Sequence, residues 1–548
     1  MPNSFAELDF LLHQNFPNAK IVRHINMDYW GGKVIKHRFM LLLLFVYFSI
    51  HLTNLTLLPI FNDEAIYLDW GWTHTHMPGR LFDSLLDAKQ PLIIWIFGIF
   101  ERFFSDPLFA GRFASVLIGF ITLLGIYKIT KKLLNEDNAF ISALLYSIIP
   151  IFVFYNRQAL MEAAIVCVGI WSFNALLNLL QSPITKNGII LGIILGIGFF
   201  IKSSSLIFIA SASVLMLFYL VIKKRKELLK PYLVSLITIV AVDSLLLINS
   251  LFWQTFSSNS RYSYAPAELF TFPLVSWLNN LLGFAEIGFV FVTPLIFISG
   301  IVGIFMMRKD RIENNQIFLA YFITVLLLEI LSVRSQNQRY IVAFLPFFAI
   351  PASYVLNSLW RSNIWGKSVL IISFFIPIFF SLILIFNPEY YIMQLSKISK
   401  YSEVGYVRGQ TSGYGINETM RYIKEHSSSS QPSMVVFGLN IGNPESAADL
   451  YSQKAPNLAA LHIDSKFFQG LDQYQCLTSK YPVFFVTRDG QLAGMDRYFS
   501  EEVSFPNPDN TYSVGIYTIK KDCSGNALSL SEIYQGAISK VLEMKYGY

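Results

Sequence analysis

Apolar runs of roughly bilayer length, about 20 residues each, recur between Phe39 and Phe386 and are separated by short basic clusters. The stretch 188–222 carries a single charge, Lys202, in 35 residues. Segments apolar on every side must be covered on every side, by a large core or by lipid. Charged residues make up only 14% of the chain, well under the roughly 25% of soluble domains. A soluble globular enzyme is excluded, and the chain reads as a polytopic membrane protein.

The runs place eleven spans, near 39–58, 108–127, 138–155, 161–181, 187–201, 203–222, 231–252, 281–306, 316–333, 339–358 and 368–386. An odd number sets the two ends on opposite sides of the bilayer. Residues 1–386 hold 28 Lys/Arg against 20 Asp/Glu, whereas 387–548 hold 14 against 16. The basic excess therefore belongs to the membrane part and reports orientation, not nucleic-acid binding. No RNA- or DNA-binding motif is present, and the polar opening of the chain does not read as a cleavable signal. With segment 1–38 in the cytoplasm, 19 of the 28 basic residues fall inside, including the Lys223–Lys226 run. The nine left outside are Arg80, Lys89, Arg102, Arg112, Arg157, Lys202, Arg261, Arg334 and Arg339. They break the positive-inside rule and need another explanation.

Three regions follow: a cytoplasmic segment 1–38, a membrane domain 39–386, and a tail 387–548 on the far side. The first outer loop, 59–107, contains Pro91–Phe104, an apolar stretch too short to cross a bilayer that reads as an interfacial helix. In the tail, helical periodicity around 417–426 precedes β-rich runs at 433–440, 482–489 and 513–521, as expected of a small α/β domain. Cys476 and Cys523 both fall there, where a disulfide is allowed, and Cys167 reads as a packing residue within a span.

The first outer loop opens Phe61-Asn62-Asp63-Glu64-Ala65-Ile66-Tyr67. Two carboxylates after a span read equally as a solvated loop start. Their weight comes from company: Lys89 opens the interfacial helix, Arg112 begins the next span, and the turn 155–162 brings Arg157 and Glu162 to the same face. Arg102 with Glu101 reads as a solvated face, and His74 and His76 as loop residues without a fixed third metal ligand. Asp243 and Glu329 interrupt spans, where they line a cavity or bond between helices.

This combination resembles the C-type (GT-C fold) membrane glycosyltransferases of family 39 and the ArnT-like group. The matching marks are Asp63-Glu64-Ala65-x-Tyr67, Lys89-x-Pro91-Leu92, Arg112-Phe113-Ala114-Ser115 and Ser147-x-x-Pro150 with Arg157 and Glu162. Gly198-Phe199-Phe200-Ile201-Lys202 and Gln338-Arg339-Tyr340 with Pro346 complete the set, which keeps the family's order from about residue 60 to 355. Gln90, Glu162 and Gln338 depart from residues common at those positions in the family.

The resemblance implies a GT-C fold with an extracytoplasmic α/β domain, and sugar transfer from a polyprenyl-phosphate donor to a protein, lipid or envelope-glycan acceptor. Asp63 matches the family's catalytic aspartate and is the candidate base; Glu64 and Glu162 are candidates to orient hydroxyls. Lys89, Arg157, Lys202 and Arg339, with Tyr67 and Tyr340, are the candidates to hold the lipid phosphate and sugar, a task suited to guanidinium and ammonium groups. No cofactor is required, and a divalent metal is neither demanded nor excluded. A transporter or lipid flippase is the rival reading, and a non-catalytic subunit of an envelope-polymer assembly a third. The absence of sequence symmetry between halves and the clustering of charge at one face weigh against transport.

Overall fold

The computed structural model describes residues 39–256, 262–360, 362–427, 433–438, 442–455, 457–463, 470–488, 492 and 494–533. The segment 1–38 and Arg261 lie outside the described residues. Two compact units are present, Met1–Ser49 and Ile50–Tyr548. Of the first, the described part is the opening of helix α1 (Phe39–Leu52); all that follows belongs to the second.

After α1 come α2 (Asn62–His76) and α3 (Leu92–Glu101), then the long α4 (Pro107–Leu133). The helices α5 (Glu136–Ile148) and α6 (Pro150–Asn156) are bent by 66° where they meet. Proline at the start of α6 has no N–H to continue the ladder, and the residue before it leaves helical geometry. Next are α7 (Glu162–Gln181), α8 (Thr185–Ile201), α9 (Leu206–Leu217) and α10 (Leu229–Leu247). They are followed by α11 (Leu274–Phe291), α12 (Pro294–Lys309), α13 (Glu313–Ser332), α14 (Gln338–Ile341), α15 (Ala349–Trp360), α16 (Ile364–Phe386) and α17 (Pro388–Ser396).

Seven described helices are long and apolar enough to cross a membrane, or eight if the bent pair counts as one span; α1, α3 and α8 are apolar but shorter. Two expected spans differ in detail. The run 281–306 is split at Thr293, whose φ of 79° precedes Pro294. The run 339–358 is broken into α14, a tight turn at Leu345–Phe348 containing Pro346, and α15. Both breaks fall at prolines inside otherwise apolar sequence, which a count of apolar residues does not see.

Close helix approach is set by small residues. Gly188, Gly192 and Gly196 recur every fourth position on α8, and a Cβ at each would run into Pro231, Ser235 or Val242 of α10. α2 and α3 cross at Gly71 and Gly98, where a Cβ on Gly98 would collide with the Gly71 carbonyl. This contact presses α3 against α2, burying Ile93, Ile94 and Phe97.

The tail forms a strand-bearing domain. Helix α18 (Ile416–His426) precedes β1 (Ser433–Gly438), α19 (Glu445–Gln453), β2 (Leu458–Ile463), β3 (Cys476–Thr478), β4 (Val483–Arg488), β5 (Phe499–Pro506), β6 (Ser513–Ile519) and β7 (Ala527–Ser529). The main sheet has the order β2-β1-β4-β6-β5, parallel across β2, β1 and β4 and antiparallel beyond. One face buries Met434, Val436, Leu461, Phe485 and Phe499.

Cys476 and Cys523 are joined across a sequence separation of 47, with Cα atoms 5.4 Å apart. A closed loop of that length is expected to contribute about 4 kcal/mol at most through the unfolded state. Replacing both cysteines by serine is therefore expected to lower the denaturation midpoint of this domain, measured by intrinsic fluorescence, without altering the helical part.

Candidate functional site

Asp63 and Glu64 occupy the first turn of α2, where the helix dipole favours carboxylates. Glu64 reaches back so that its Oε2 accepts the Phe61 N–H at 3.0 Å. Neighbours on a helix point about 100° apart, so the two acids enter different surroundings. Glu64 is fully buried. Its carboxylate also accepts Arg112 Nε at 2.9 Å, a terminal Arg112 nitrogen at 2.7 Å and the Ala159 N–H at 2.7 Å. The remaining Arg112 donors go to the carbonyls of Leu55, Leu58 and Pro59. With four donors on its two oxygens, Glu64 has no lone pair left to orient a substrate hydroxyl. The pair ties residues 55–64 to α4 and the 157–162 turn, and the hydroxyl-orienting role expected of Glu64 is replaced by a structural one.

Asp63 points the other way. Its Oδ2 lies 2.5 Å from a terminal nitrogen of Arg339, on α14. The Arg339 Nε donates to Glu162 Oε1 at 2.9 Å, and the Lys202 ammonium donates to the same oxygen at 2.9 Å. Glu162 begins α7 and Lys202 caps the end of α8. Four elements thus bring together a row of alternating charge, Asp63–Arg339–Glu162–Lys202. The second Glu162 oxygen is buried without a hydrogen-bond partner among the described residues. Burial pushes the Asp63 carboxyl up, but Arg339, aided by Lys89, outweighs this and holds it below its ordinary value of 3.8. Tyr67 lies one turn along α2, is buried, and feels the charges of Asp63 and Arg339. Tyr340 is partly buried next to Arg339 and feels Arg339 and Glu162. The structure therefore gathers Asp63, Glu162, Lys202, Arg339, Lys89, Tyr67 and Tyr340 in one place.

Arg157 stands apart from this row. Its guanidinium donates to the carbonyls of Ile50, His51, Thr53 and Asn54 at 2.7–3.1 Å and is 6% exposed. It caps the end of α1, where orphan carbonyls attract a cation, and this corrects its assignment to the lipid phosphate. Other misplaced basic residues are accounted for similarly: Arg80 pairs with Asp83, Arg334 with Glu268, and Arg102 donates to the Thr75 carbonyl. Glu101 is 2% exposed, not on a solvated face; Lys454 of the tail donates to its backbone carbonyl at 3.1 Å. His74 is buried on α2, which pushes its ring down to about 4, and His76 stacks on Trp72.

Three contributors carry no sequence signal. Tyr155 donates to Glu403 Oε1 at 2.6 Å across 248 positions of sequence. Tyr406 stacks on Phe61 with ring centroids 3.9 Å apart. Asn443 grips the residues before Asp63: its N–H donates to Asn62 Oδ1 at 2.8 Å and its amide to the Ile60 carbonyl at 2.9 Å. All three reach from or to the tail, whose sequence holds no motif.

Residues 88–251 match the family model of dolichyl-phosphate-mannose-protein mannosyltransferases. No curated protein sequence matches the chain. ArnT from Cupriavidus metallidurans bound to undecaprenyl phosphate is similar in structure, with a TM-score of 0.56 and 16% identity over 88% of this chain and 98% of that one. Its apo state gives 0.56 and 14% over 89% and 98%. The Archaeoglobus fulgidus oligosaccharyltransferase in complex with Zn and sulfate gives 0.50 and 12% over 78% and 62%. At these identities the likeness is one of fold, and the matched segment adds the class: the chain is a multi-pass membrane glycosyltransferase of GT-C fold, similar in type to ArnT and the dolichyl-phosphate-mannose-protein mannosyltransferases.

Proposed function

We propose that the chain transfers a sugar from a polyprenyl-phosphate donor to a hydroxyl of an acceptor outside the cytoplasm, inverting the anomeric carbon. The row Asp63–Arg339–Glu162–Lys202 carries this reading. The acceptor oxygen forms the bond to the anomeric carbon as its proton passes to Asp63. The bond from that carbon to the phosphate oxygen breaks, and its electrons leave with the lipid phosphate. Arg339 and Lys202, with Lys89 beside them, stabilise the charge that develops there. An arriving phosphate competes with Asp63 for Arg339. Loss of that partner raises the basicity of Asp63 when the acceptor must be deprotonated. Glu162 holds both cations in place meanwhile.

This reading puts the N-terminus in the cytoplasm and the strand-bearing domain outside, where the Cys476–Cys523 bridge suits an oxidising compartment. It includes no cofactor. A transporter or flippase would place its charges near the bilayer midplane between repeats, whereas these sit at helix ends.

Vesicles given labelled polyprenyl-phosphate sugars test the proposal. Arg339→Gln is expected to lower kcat by about 10²–10³-fold, the loss typical of one charge-stabilising donor. Because kcat/KM reports the free enzyme, the acid limb due to Asp63 is expected below pH 4, and Arg339→Gln should move it upward. Unchanged turnover in this variant would remove the assignment.

A further inference from the structure

Beside the charged row lies a cavity of about 310 Å³ lined by Ser335, Gln336, Asn337, Lys400, Tyr401 and Glu403, among others. Its volume is at the lower end of the roughly 300–1,000 Å³ of small-molecule sites. One wall is the turn between α13 and α14, and the other is the segment after α17. Two links fix the walls to the site. Asn337 Oδ1 accepts the Arg339 N–H at 2.9 Å, and the Gln338 amide donates to the Tyr401 carbonyl. Glu403 feels the charges of Arg339, Glu162 and Asp63, so the cavity adjoins the reacting groups.

The lining is unlike a phosphate or lipid site. It carries one ammonium and one carboxylate, Lys400 and Glu403, with two amides, hydroxyls and an aromatic ring. Gln336 is the informative member. It is 6% exposed, and neither its amide oxygen nor its nitrogen has a hydrogen-bond partner among the described residues. A buried amide without partners is costly, so Gln336 gains most from any polar group of a ligand that reaches it. Glu403 lines the cavity and accepts the Tyr155 hydroxyl on one oxygen. Tyr401 packs over Gly283 of α11, where any Cβ would strike its hydroxyl.

We infer that this cavity is the acceptor subsite and that the acceptor is a neutral saccharide. Amide, carboxylate and hydroxyl groups meet adjacent sugar hydroxyls as donors and acceptors at once, and the Lys400 ammonium, 5.0 Å over the Tyr401 ring, adds a further donor. The inference rests on the transfer reaction proposed above and specifies its acceptor class. The bound sugar presents a hydroxyl toward Asp63 from the Glu403 side.

Saturation-transfer NMR on the full chain in nanodiscs tests this. The probes are a mixture of neutral tri- to hexasaccharides of glucose, mannose, galactose and N-acetylglucosamine, and separately a serine- and threonine-rich peptide. Saturation of the saccharides by the parent protein is expected, with at least tenfold loss in Gln336→Leu and in Glu403→Gln at unchanged melting temperature. Equal saturation in parent and Gln336→Leu overturns the inference, as do binding of the peptide alone and absence of saccharide binding. Consumption of labelled polyprenyl-phosphate sugar by the parent, compared with Asp63→Asn, is measured in parallel. Saccharide binding without donor consumption would sink the transfer reaction while leaving the cavity a sugar site.

Discussion

Asp63→Asn is expected to lower sugar transfer by about 10²–10⁴-fold, the range contributed by a general base, while the protein still inserts and folds. The amide has the shape of the carboxylate and still accepts from Arg339, so geometry survives and proton acceptance does not. Matched expression in vesicles with labelled donor measures it; equal product from both proteins would exclude Asp63 as base. The change also has a pH signature. Folding lowers the Asp63 pKa, so the ionised group contributes stability that is complete above its unfolded value near 4 and is lost as pH falls through the lower folded value. The melting temperatures of parent and variant are therefore expected to differ at neutral pH and to converge in acid.

Arg112→Met is expected to fail in the opposite manner. It strands the fully buried Glu64 carboxylate, and breaking a buried pair from one side costs about 3–5 kcal/mol. Folded yield and melting temperature in detergent should drop sharply, whereas turnover per folded molecule should fall far less than in Asp63→Asn. Replacing both partners, Glu64→Leu with Arg112→Met, is expected to recover part of the loss, because the unpaired charge is gone. A double variant as unstable as the single one would show that the carbonyl contacts of Arg112, not its ion pair, hold this corner.

The contrast between these adjacent acids shows what the sequence could and could not reveal. Hydropathy exposed the membrane helices, and the positive-inside rule singled out nine basic residues in unexpected places. Charge in such positions costs free energy and needs partners. Sequence does not say which partners. Arg339 and Lys202 face carboxylates in the charged row, whereas Arg157 is occupied by four backbone carbonyls and Arg112 by Glu64 and three carbonyls. Helix phase separates Asp63 from Glu64, and α2 itself was unseen because IYLDWGWTHTH carries neither a clean apolar stripe nor a run long enough to span. In the tail, β1, β4 and β6 stood out as apolar runs. β5, with exposed Glu501 and Glu502 on a sheet edge, and β2, interrupted by exposed His462, did not. Glu403 and Asn443 were invisible for a simpler reason: their partners lie hundreds of positions upstream.

The grip of Asn443 on Ile60 and Asn62 sets an order of events during biosynthesis. Asn443 is made 383 residues after the carbonyl it binds, so the acid at position 63 emerges early from the ribosome beside a segment not yet pinned. On the proposed orientation, the helices enter the bilayer one after another while that segment waits on the far side. It is locked only when the last fifth of the polypeptide has been exported and has folded. The backbone leading into Asp63 thus gains its last hydrogen-bond partner only after about four-fifths of the chain has been made.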